Sequence, residues 1–170
     1  MIPRMKPLLD QIIVILEKSR ALYQELLKLY DREKRAAMGP DPQLLVALTT
    51  EKEELLAQLE QQERQRMKLA ERISEFLNVP VKQLNISVLV GYGDYDQSCR
   101  LIDLRDSLGG LVKSIQRANA ENRVLFQHCL ELVRNAMGFF QHWMTPASVY
   151  GSSGRVDSGH RSGKLLCGTI

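Results

Sequence analysis

A chain of 170 residues with 44% hydrophobic and 25% charged side chains can bury a core without disulfide or metal staples, and is too apolar for wholesale disorder. Its 23 basic and 20 acidic residues leave a net charge of +3, and residues 1–78 balance 13 of each sign, which argues against a nucleic-acid binder. Cys99, Cys129 and Cys167 form no CxxC pair and no disulfide framework, which fits a reducing compartment.

Arg4 and Lys6 precede an apolar stretch, Leu8 to Leu16, in the manner of a short leader. Asp10 and Gln11 interrupt that stretch and no small-residue cleavage site follows, so it reads as the start of an amphipathic helix in a cytoplasmic protein. No apolar run reaches the ~18–20 residues that span a bilayer. Between Leu8 and Met38 there is neither Gly nor Pro. Leu8, Ile15, Leu22 and Leu29 are seven apart, Leu9, Leu16, Tyr23 and Tyr30 run beside them, and Ile12 and Leu26 widen the stripe. This spacing predicts a helix over 4–38. Gly39-Pro40-Asp41-Pro42 is a sharp turn. A second helix is predicted over 42–77, with Leu48, Leu55, Leu69 and Phe76 in a seven-residue row broken by Gln62. Pro80 closes it by pushing Val79 out of the helical region.

Ile86, Val88 and Val90 alternate like a strand, but a lone strand has no partner, and a short connecting helix capped by Asn85 is the better reading. Gly91-Tyr92-Gly93-Asp94 is a loop. A third long helix is predicted over 96–144. Leu101, Leu108, Ile115, Asn122, Cys129, Ala136 and Trp143 form one row, and Leu104, Leu111, Ala118, Leu125, Leu132 and Phe139 the second. Two such rows make the seam of packed helices. A third row, Val112, Asn119, Phe126, Val133 and Phe140, widens the face beyond what a seam requires. Short loops force antiparallel neighbours, so the predicted fold is all-α: an elongated, coiled-coil-like up-down-up bundle over 1–146. The first two helices would be about 50 Å long and the third about 70 Å, so the third overhangs or bends, with Gly109-Gly110 the place for a bend. Residues 147–170, rich in Gly and Ser, read as a flexible tail.

Catalytic constellations are missing. His128 and His142 lie about 20 Å apart along one helix, no Glu-x-x-His pair occurs, and Gly91-Tyr92-Gly93 lacks the rest of a phosphate loop. No enzyme activity, metal, cofactor, nucleic acid or membrane insertion is expected. Polarity inside the seam stands out instead. Asn119 and Asn122 either set register or belong to a binding groove with Val112, Phe126, Val133, Met137 and Phe140, a face suited to an amphipathic helical ligand.

Glu51-Lys52-Glu53-Glu54-Leu55-Leu56, the capped link Asn85-Ile86-Ser87-Val88-Leu89, Asn119-Ala120-Glu121-Asn122-Arg123, and Tyr150-Gly151, Gly154 and Leu165-Leu166 follow one another in an order that resembles the FlgN family of flagellar export chaperones. Cys167, where an acidic residue is common, and Gly109-Gly110 depart from that pattern. The resemblance implies a cytoplasmic chaperone that holds terminal segments of the hook-filament junction proteins FlgK and FlgL and hands them to the export gate FlhA. On that reading Val112, Asn119, Asn122, Phe126, Val133, Met137 and Phe140 bind client, and Tyr150, Gly151, Gly154, Leu165 and Leu166 dock to the gate. The alternative is a coiled-coil scaffold or tether, which would form a parallel dimer with no free groove.

Overall fold

In a computed structural model, which describes residues 5–144, the predicted long helices form, the second with the predicted boundaries and the other two within a residue of theirs. Helix α1 runs Met5–Ala37 and α2 Pro42–Leu77. Pro7 sits in the first turn of α1, where a missing N–H breaks no helical bond. The turn between them ends on Asp41, whose carboxylate accepts from the amides of Gln43 at 2.9 Å and Leu44 at 3.4 Å, with Pro42 opening the helix. Asn78 closes α2 in the left-handed conformation at φ 54°, and its amide donates to the Glu75 carbonyl.

A 3-10 turn over Val81–Gln83 leads into the short helix α3, Ile86–Val90, which the Asn85 side chain caps by accepting from the Val88 amide at 3.0 Å. The alternating stretch is therefore the expected connecting helix and not a strand. Helix α4 runs Tyr95–Met144. Asp94 and Gln97 cap it reciprocally: the Gln97 amide donates to Asp94 Oδ1 at 2.9 Å, and the Asp94 amide donates to Gln97 Oε1 at 3.3 Å. Gly93 packs so closely here that a Cβ would lie 3.1 Å from the Gln97 Cβ.

The chain divides into two compact units, residues 1–128 and 129–170. Within the first, ion pairs fix helix direction. Arg32 and Glu33 near the end of α1 pair with Glu51 and Lys52 near the start of α2, while Leu9 and Ile13 at the start of α1 cluster with Leu69 and Ile73 at the end of α2, so these helices are antiparallel. Lys6 pairs with Asp94, Glu17 with Arg100, Arg20 with Asp103 and Lys34 with Glu121, so α4 runs parallel to α1. That is the up-down-up order. One apolar cluster gathers Leu9, Ile13, Ile73, Leu89, Leu101 and Leu104. A second gathers Leu26, Leu29, Tyr30, Ala36 and Leu48. Each fully buried Leu or Ile is worth roughly 2 kcal/mol relative to exposure.

Two expectations about the rows need correction. Phe76 is exposed, and Ile73, one turn earlier, takes the buried position instead; the row has already broken at Gln62. In α4 the seam is buried at Leu101 and Leu104 and half-buried at Ile115, Ala118 and Leu125. Its later members Leu132, Ala136, Phe139 and Trp143 are exposed. An apolar row is only a seam where another helix supplies the facing stripe.

Candidate functional site

The residues proposed for client contact fall into two environments. Asn122 is 3% exposed, and its Nδ2 donates to the Tyr30 carbonyl at 2.9 Å and to Glu33 Oε2 at 3.4 Å. Glu33 is itself 4% exposed and accepts from Lys52 Nζ with both oxygens, at 3.1 and 3.0 Å. The Lys52 ammonium lies 4.2 Å from the centroid of the Tyr30 ring. Side chains from all three long helices thus meet at a single level. Buried polar groups of this kind are tolerated only when satisfied by one another, which makes the helix register specific. Asn122 is thus buried against α1, away from the exposed face. Asn119 is exposed, as is Val112, and Phe126 is half-buried.

Sequence reasoning missed Glu33, Lys52 and Tyr30 as a set. A signal was present: Ile12, Ser19, Leu26 and Glu33 are seven apart, so Glu33 continues an apolar row of α1. Beside this cluster Glu121 is held below the usual carboxylate range, by Lys34 first and Arg117 next.

In the second unit, Val133, Met137 and Phe140 are exposed, together with Leu130, Leu132, Phe139 and Trp143. The Phe139 and Phe140 rings meet edge to face, with centroids 6.2 Å apart and planes at 74°. The only charges over residues 129–144 are Glu131 and Arg134. Large apolar side chains left in water at this density have the character of a surface that a partner could cover. What such a surface can do chemically is bury another apolar face, with little electrostatic selection. The proposed gate-docking residues Tyr150, Gly151, Gly154, Leu165 and Leu166 lie outside the described residues. Among the described residues no group of three His, Cys, Asp or Glu side chains could hold a metal ion, and no helix is long and apolar enough to cross a membrane.

Comparison with curated proteins and with solved structures finds no match to this chain. The model of the FlgN protein family matches residues 1–158, nearly the whole chain. The helix order, the capped link and the two segments that meet at Glu33, one around Lys52 and one around Asn122, all lie within that match. On this match the chain belongs to the FlgN family of flagellar export chaperones.

Proposed function

We propose that this chaperone holds terminal amphipathic segments of FlgK- and FlgL-like hook-filament junction proteins in the cytoplasm, prevents their premature assembly and delivers them to the export gate FlhA. The observation that carries this reading is the run of exposed apolar side chains in residues 129–144, centred on Val133, Met137 and Phe140. Val112, Asn119 and Phe126 extend the same row of α4 toward its start, and Asn122 contributes by fixing α4 in register rather than by touching client. A helical domain over 1–146 carries the client. The Gly- and Ser-rich segment 147–170 carries the gate contact, through Tyr150, Gly151, Gly154, Leu165 and Leu166. Client helices that self-associate through an apolar face need that face covered until export, and an exposed apolar surface can cover it.

Titration calorimetry with purified terminal fragments of FlgK- and FlgL-like proteins tests the reading. Met137→Ser with Phe140→Ser removes two anchors worth ~2 kcal/mol each, so affinity should fall by roughly a hundredfold or more, while the melting temperature stays unchanged because both residues are exposed. Unchanged affinity overturns the proposal. Deleting 148–170 should leave fragment binding intact and lower binding to the gate, with Tyr150→Ala reproducing part of that loss.

A further inference from the structure

Helices α1 and α2 leave a groove of about 490 Å³ on the outside of the pair, and no other helix fills it. Ile15 and Leu69 form its floor, and Val14, 45% exposed, forms one wall. The ion pairs that attach α4 to α1 use a different stripe, Lys6, Glu17 and Arg20. Asp10 lies on the edge between the two stripes and is engaged by Gln97 Nε2 at 2.6 Å.

The opposite wall is cationic. Lys68 and Arg72 stand one turn apart on α2, and neither has a carboxylate partner among the described residues. Their neighbours differ: Arg64 pairs with Glu60, and Arg66 with Glu63. Lys18, one turn on from Val14, adds a further cation at the end of the α1 wall. An apolar floor flanked by unpaired cations fits an apolar stripe flanked by carboxylates.

We propose that this groove is a second docking surface, distinct from the exposed apolar run of residues 129–144, and that its occupant is a short amphipathic helix of a partner protein with acidic residues along one flank. Charge excludes the two occupants closest to hand. The chain's own segment 148–170 carries Arg155, Arg161 and Lys164 against Asp157, so it is basic. A second copy pairing groove to groove would set Lys68 and Arg72 against their own equivalents.

The test uses the full chain and a synthetic ~15-residue amphipathic helix with Leu on one face and Glu along the flank, followed by fluorescence anisotropy. The Glu peptide should bind, more weakly as salt rises, and its Gln counterpart should bind about tenfold less tightly. Lys68→Glu with Arg72→Glu should lose the Glu peptide and gain a Lys-flanked one, a charge swap that a misfolded variant could not show. Phe140→Ser should bind the Glu peptide as the parent does. Equal binding of the Glu and Gln peptides, or unchanged binding by the charge-reversed variant, overturns the proposal. So does loss of binding in Phe140→Ser, which would place the peptide on residues 129–144. Self-association of the parent chain that the charge reversal abolishes would assign the groove to a second copy and likewise overturn it.

Discussion

Glu33 shows how little of a side chain's role follows from its type. A carboxylate at 4% exposure is sustainable here because Lys52 neutralises it and Asn122 supplies a further donor. Lys52→Met keeps the aliphatic stem but strands the Glu33 charge, and should cost about 3 kcal/mol in denaturant unfolding. Asn122→Ala removes a donor from a group that keeps its counter-ion, and should cost less, about 1–2 kcal/mol. The reverse ranking would mean that Glu33 does not depend on Lys52. Asp94 offers a test by pH. Its carboxyl is held below the ordinary range, first by the Gln97 amide and then by Lys6. Its contribution is therefore complete above the ordinary carboxylate value and is lost as pH falls through the depressed one. Asp94→Asn keeps an oxygen for the Gln97 amide but removes the charge, so the drop in melting temperature between about pH 7 and about pH 3 should be smaller than in the parent chain. An identical drop would show that Asp94 does not contribute to the acid response.

At the scale of elements, most of the helical fold was legible from the sequence. The two seven-residue rows of α1, the Pro–Gly punctuation and the Asn85 cap each act locally, through backbone sterics and helix period, and each appears where the spacing places it. What was not legible is pairwise. Nothing in the local spacing shows that Glu33 will face Lys52, or that Gln97 will reach across to the Lys6 carbonyl at 3.1 Å, because those meetings depend on the packing of separate helices. The exposed end of the α4 rows was hidden for the same reason: periodicity records an apolar stripe and not what covers it. Gly109 and Gly110 depart from good helix-forming sequence, yet both lie inside α4, and a Cβ at either would meet nothing within 4 Å. Gly109→Ala and Gly110→Ala should each raise stability by about 0.5–1 kcal/mol in chemical denaturation. Destabilisation by either would show that α4 needs a backbone conformation there that alanine resists.

Across the whole molecule, the two parts of α4 differ in what covers them. Leu101, Leu104 and the Glu33 cluster bind the first part of α4 into the core, and residues 129–144 leave their apolar side chains exposed, the surface proposed for the client. Buried rows give stability, and the exposed run is kept at a cost in solubility that a pure scaffold would have no reason to bear. Amide hydrogen exchange on the full chain, with and without a purified terminal fragment of a FlgK-like client, tests this division most directly. Exchange should slow over 129–144 when the fragment is added and stay unchanged over 101–108. Slowing confined to other segments, or none at all at a saturating fragment concentration, would contradict it.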